Sequence, residues 1–82
     1  MWKETNNQLH QQFVFTNFSE AMAFIVQIAI ASEKLNHHPT FTCTYNKVDV
    51  WLQTHDKGNI VTALDWQLAA AIDSFKQNII VE

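Results

Sequence analysis

The sequence predicts an α+β fold, a four-stranded antiparallel sheet with helices packed on one face in the order ββαββα. Three observations lead there. Residues 2–15 and 40–54 each alternate apolar and polar side chains around a short polar break, the pattern of a β-hairpin. Between them, Phe18 to Asn36 is strongly apolar at helical spacing, and beyond Thr62 apolar residues again recur every three or four positions. Two hairpins and two helices in this order bury their apolar faces as a sheet layer under a helix layer.

Taken in order, Trp2–Glu4 reads as a short strand and Asn6-Asn7 as the turn after it. Leu9 to Phe15 places Leu9, Gln11, Phe13 and Phe15 on one face and His10, Gln12 and Val14 on the other. His10 is expected to be exposed and without chemistry. Asn17, followed three residues later by Glu20, is a variant of the capping box and opens a helix at Phe18 that runs to about Asn36. Phe18, Ala21, Met22, Ile25, Ile28 and Ala29 form one apolar stripe, and Ala23, Val26 and Ile30 spread apolar character around the rest. A helix apolar nearly all round is buried on more than one side. The sheet takes one side; a partner subunit or the second helix takes the other.

Thr40 to Tyr45 sets Phe41, Cys43 and Tyr45 against Thr42 and Thr44, and Asn46-Lys47 is the expected turn. Val48 to Thr54 then sets Val48, Val50 and Leu52 against Asp49, Trp51 and Gln53. Trp51 on the polar face points to an intersubunit contact. Lys57-Gly58-Asn59 is the clearest loop. Thr62 with Asp65 signals the next helix cap, and Leu64, Leu68, Ala71, Ile72 and Phe75 continue at helical spacing. Asn78 to Glu82 reads as a short extension.

At 82 residues the chain is expected to be one small domain with a core near the lower limit of self-sufficiency. Its 48% hydrophobic residues argue against disorder and suggest that another subunit covers some apolar surface. A net charge of −3 without a basic cluster gives no electrostatic footprint for nucleic acid. The single cysteine excludes an internal disulfide and fits a reducing compartment. No apolar signal core follows Met1, and the apolar run from Ala21 to Ala31 is too short to cross a bilayer, so a cytoplasmic protein without membrane contact is expected.

Chemistry concentrates between Glu33 and Asp56, which hold three of the four histidines and the only proline. Pro39 restricts His38 to extended backbone, so the helix should end near His37 and the rings of His37 and His38 should diverge. Glu33 lies four residues before His37, a spacing that shares a helix face and lets a carboxylate orient the imidazole. His55 is expected at the end of the strand that begins at Val48. The usual histidine and cysteine spacings of metal sites are missing, so no metal is expected. Glycine-rich phosphate loops and serine nucleophile elbows are absent as well.

Glu33-Lys34-Leu35-Asn36-His37-His38-Pro39, Tyr45-Asn46-Lys47-Val48, Thr54-His55-Asp56, and Asp65 with Leu68-Ala69 and Ile72-Asp73 together resemble the pterin-4a-carbinolamine dehydratases, also known as dimerisation cofactors of a hepatic homeodomain transcription factor. The likeness runs from Trp2 over nearly the whole chain. It implies the same element order behind one further leading helix, which this chain is expected to lack, since the likeness starts at Trp2. It also implies dehydration of a 4a-hydroxytetrahydropterin to the quinonoid dihydropterin, with catalytic His37, His38 and His55 and no cofactor. Glu33 matches the nearby acid, and Pro39, Phe41 and Asp56 are expected to line or shape the substrate pocket. Phe41 stands where tryptophan is frequent, Leu64 where arginine is frequent, and the segment from His55 to Asp65 is one residue longer than the common form. The competing function is a noncatalytic dimerisation or binding module on the same fold. In either case a homodimer or homotetramer is expected, joined through the Phe18–Asn36 helix and the sheet edge.

Overall fold

The computed structural model describes residues 1–79; the last three residues of the expected C-terminal extension lie outside it. The elements are β1 (Lys3–Thr5), β2 (Gln8–Val14), α1 (Phe18–Leu35), β3 (Thr40–Thr44), β4 (Lys47–Leu52) and α2 (Ala63–Ile79), with a 3₁₀ turn at His55–Lys57 before α2. The fold is α+β and the order is ββαββα. The sheet runs β1-β2-β4-β3, every neighbouring pair antiparallel.

Alternation decides which side of the sheet is covered. Leu9, Phe13 and Phe15 from the first hairpin meet Val48, Val50 and Leu52 from the second, and both sets pack under Ala21, Phe24, Ile25 and Ile28 of α1 and Leu68, Ala69 and Ile72 of α2. Phe24 sits at the centre, its ring 4.7 Å from Phe13 and 4.9 Å from Phe15. Gln11 also faces inward, and its amide, like the Trp2 indole, donates to Asp73, tying α2 to the first hairpin. On the open face His10 has a structural place: it bonds Asp49 at 2.9 Å and stacks on Trp51. Trp51 thus has a neighbour within its own chain.

The first turn is Asn6-Asn7, both at positive φ, as a two-residue hairpin of this hand requires. The second falls one residue earlier than the sequence suggests. Thr44 pairs with Lys47, so Tyr45 and Asn46 make the turn, and Tyr45, at φ 51°, is exposed. The cause is register: pairing Cys43 with Val48 keeps both inward. Asn46 then clasps Phe15, donating through Nδ2 to its carbonyl and accepting its N–H at 2.8 Å.

Helix α1 opens with the Asn17 side chain accepting the Glu20 N–H at 2.9 Å; Glu20 answers to Thr16 N–H, one residue ahead of the standard box. Its buried arc is Ala21, Phe24, Ile25, Ile28 and Ser32, so Phe18, Met22 and Ala29 of the expected stripe face outward. In a helix apolar nearly all round, periodicity alone does not fix the phase. Helix α2 covers a second side of α1, across a groove lined by Ile30, Ala31, Leu35, Ala71 and Phe75. A third side remains uncovered: Phe18, Met22, Val26 and Ile30 form a continuous exposed row at every fourth residue. Among the described residues no helix is long and apolar enough to cross a membrane.

Candidate active site

The site forms where three element ends meet. Helix α1 ends at Leu35, and Asn36 turns left-handed at φ 50° and ψ 46°. His37 N–H reaches back to the Ser32 carbonyl at 3.0 Å and Asn36 N–H to that of Glu33, the paired bonds of a Schellman motif. This reversal takes His37 off the helix. Its ring is buried against the first turn of α2, with Nε2 at 2.5 Å from Asp65 Oδ1. Glu33 therefore does not partner His37. It meets His38 instead, Oε2 to Nε2 at 2.9 Å, on the protein surface. The expected divergence of the two rings is present, and it exchanges their partners.

Asp65 is 0% exposed and is held on both oxygens. Besides His37 on Oδ1, Oδ2 accepts the Thr62 N–H at 2.9 Å and the Thr54 hydroxyl at 2.8 Å, and the hydroxyls of Thr54 and Thr62 lie 2.7 Å apart. The Thr62 contact is one arm of a capping box at the start of α2, so a single carboxylate caps the helix and grips the histidine. Its burial was signalled in the sequence: Asp65 is in phase with Leu68, Ala69 and Ile72 on the apolar stripe, although the Thr62–Asp65 spacing suggests only a cap.

His55 does not end a strand. Strand β4 stops at Leu52, Thr54 bridges back to Ile60, and His55 opens the 3₁₀ turn closed by Gly58 at φ 88°. Its Nδ1 donates to Asn59 Oδ1 at 2.6 Å, and the ring is exposed. A cleft of about 230 Å³ brings His37, His38 and His55 together, completed by Asn36, Thr54, Asp56 and Leu64. Leu64 gives this cleft an apolar wall where the family pattern often has a cation. Glu33, Pro39 and Phe41 lie on the far side of His38, around a neighbouring hollow of about 190 Å³ that also touches Ala29 and Ser32. A larger hollow, about 460 Å³, is the α1–α2 groove, and no histidine is among the residues that line it. Among the described residues no three His, Cys, Asp or Glu side chains converge to hold a metal ion.

One anchored and two accessible imidazoles around a small cleft are groups of the kind that serve as general acid and base. The sequence model of the family described as pterin 4 alpha carbinolamine dehydratase matches residues 1–75. The chain belongs to this family. A relative from Prochlorococcus marinus, provisionally named a pterin-4-alpha-carbinolamine dehydratase, is 51% identical over 75 residues, which are 92% of this chain and 77% of the relative. Another with the same provisional name, from Chelativorans, is 46% identical over 88% of this chain and 72% of its own. The crystal structure of a transcriptional coactivator/pterin dehydratase from Brucella melitensis superposes with a TM-score of 0.87 at 38% identity, covering 92% of this chain and 81% of that one. A pterin dehydratase-like protein described as a RuBisCO assembly factor of the alpha-carboxysome shares the fold, with a TM-score of 0.78 at 23% identity over 92% of this chain and 88% of that one. At that identity the second likeness concerns the fold alone.

Proposed function

We propose that the protein dehydrates a 4a-hydroxytetrahydropterin to the quinonoid dihydropterin by histidine acid–base catalysis, as a cytoplasmic enzyme without a cofactor. The observation that carries this reading is the convergence of His37, His38 and His55 on one cleft from three different backbone settings. In the reaction the carbon–oxygen bond at C4a breaks and the hydroxyl leaves as water with one added proton. The adjacent ring nitrogen loses a proton and forms the new C=N bond, so the enzyme gains and loses none overall. His37 comes from the end of α1 and His55 from the 3₁₀ turn, so one supplies the proton to the leaving oxygen while the other takes the ring proton. His38, extended before Pro39 and paired with Glu33, orients the pterin, and Asp56 and Leu64 bound the cleft. Pro39 and Phe41 shape the adjoining hollow.

The test is a stopped assay of 4a-hydroxytetrahydropterin loss with purified protein, with the uncatalysed rate subtracted. Turnover above background that falls in His37→Ala and His55→Ala supports the proposal. Unmutated, folded protein with no turnover would leave the second reading, a noncatalytic binding module. That reading is favoured by one observation, the exposed apolar row Phe18-Met22-Val26-Ile30. We infer in either case that the chain forms a dimer or tetramer through α1 and the free edge of β3.

A further inference from the structure

We propose that Asp65, backed by Thr54 and Thr62, is a positioning residue that holds His37 protonated at Nε2, making Nδ1 the nitrogen that exchanges protons with the substrate. The proposal deepens the dehydratase reading in its kinetic consequence, but its structural part stands on the hydrogen bonds alone.

The direction of each bond follows from which atoms can donate. The Thr62 N–H has only a proton to offer, and it points at Asp65 Oδ2. Thr54 Oγ1 lies within hydrogen-bond distance of the same oxygen and of Thr62 Oγ1. All of these groups are satisfied when the Thr62 hydroxyl donates to Thr54, Thr54 donates to Oδ2, and the carboxylate only accepts. Oδ1 then also accepts, and the group facing it is His37 Nε2, which must carry its proton. Nδ1 is left with the lone pair of the neutral ring, and it has no hydrogen-bond partner among the described residues. Full burial of Asp65 keeps water from replacing any of these donors. The anchor also restrains the ring, because turning the imidazole would break its bond to Oδ1 of a carboxylate whose other oxygen is fixed by the α2 cap.

Asp65→Asn tests this without changing shape. To keep the α2 cap, the amide oxygen must take the Oδ2 position and accept from Thr62 N–H and Thr54. The amide nitrogen then faces His37 Nε2 as a donor, so the neutral ring must give up its Nε2 proton and carry one on Nδ1. The readout is a nitrogen–proton correlation spectrum of the imidazoles, with the His37 signal identified by its absence from His37→Gln and read at a pH where the ring is neutral. We expect the Nε2–H form in unmutated protein and the Nδ1–H form in Asp65→Asn, with unchanged circular dichroism. We also expect a fall in kcat of roughly a hundred- to ten-thousand-fold, the worth of an acid or base, with little change in KM. Thr54→Val should keep the Nε2–H form with a smaller loss. An Nδ1–H ring in the unmutated protein overturns the proposal by itself, so it stays falsifiable even if Asp65→Asn fails to fold. Full kcat in folded Asp65→Asn overturns it while leaving the dehydratase reading intact. An inactive unmutated protein would remove that reading, and the spectra would still decide the tautomer.

Discussion

Val26→Glu separates a free surface from a covered one, because the two cases differ by several kcal/mol. In the single chain Val26 is 53% exposed, in the middle of the outward row of α1. There a glutamate would be hydrated and would replace a β-branched residue of lower helix propensity, so stability should change by no more than about 0.5 kcal/mol. A second copy on the row changes the sum. Complete burial of a large apolar side chain contributes about 1.5–3 kcal/mol, and Phe18, Met22, Val26 and Ile30 each retain about half of their exposure or somewhat less. Covering the row therefore contributes on the order of 1 kcal/mol per residue, or roughly 4 kcal/mol per chain before the cost of association. In a two-fold interface the substitution occurs twice. Each glutamate forfeits the Val26 term and places a carboxylate in an apolar contact, which costs about 2 kcal/mol or more. A total loss above about 4 kcal/mol weakens association by about a thousandfold or more. Sedimentation across micromolar dilutions should show an oligomer for the unmutated protein and a folded monomer for Val26→Glu. A monomeric mass for the unmutated protein, or an oligomer unaffected by Val26→Glu, would refute the assignment of this row to an interface.

The remaining expectations concern chemistry and core. His37→Ala and His55→Ala should each lower turnover by roughly two to four orders of magnitude in the background-corrected assay. His38→Ala should mainly raise KM, because its pairing with Glu33 outside the cleft wall suits binding shared by ground and transition states. Activity should survive exhaustive chelation; loss on chelation with recovery on adding zinc would overturn the roles given to the three histidines. Phe24→Ala should cost about 3–5 kcal/mol, measured by urea unfolding, since the ring is fully buried between Phe13 and Phe15. For a chain of this size that is a large share of a total of roughly 4–12 kcal/mol.

What the sequence shows and what it hides divide along physical lines. Alternation in Leu9–Phe15 and Val48–Leu52 reveals which side of each strand is inward, because the side-chain period is a local property of extended backbone. It does not fix register, which is set across the hairpin by Cys43 opposite Val48, and so the second turn falls on Tyr45-Asn46. The caps Asn17–Glu20 and Thr62–Asp65 are legible because they span three residues. The phase of α1 is not, since Met22 and Phe24 compete for the core in a helix with few polar markers, and only packing against Phe13 and Phe15 selects Phe24. The histidine cluster is legible as a set of residues. The pairing of His37 with Asp65, 28 positions apart, depends on how two helix ends meet in space. The left-handed Asn36 decides this: its two dihedrals turn His37 inward and hand Glu33 to His38.

The site is assembled from the means by which helices end. Helix α1 closes with a Schellman motif that releases His37, and α2 opens with a box whose acid lies on the apolar stripe. Each feature looks ordinary in isolation, since left-handed asparagines and N-terminal aspartates are common at helix ends. The difference lies in Asp65, which spends one oxygen on the helix and keeps the other for the imidazole. A carboxylate serving only the cap needs no burial, because water can satisfy its second oxygen. Complete burial with both oxygens occupied follows if the histidine must be held still. Stability measurements alone will then mislead at this position: Asp65→Ala removes cap and anchor together, and its cost says nothing about which was needed. Asp65→Asn keeps the first and inverts the second, so only the protonation pattern of His37 tells the two uses of one side chain apart.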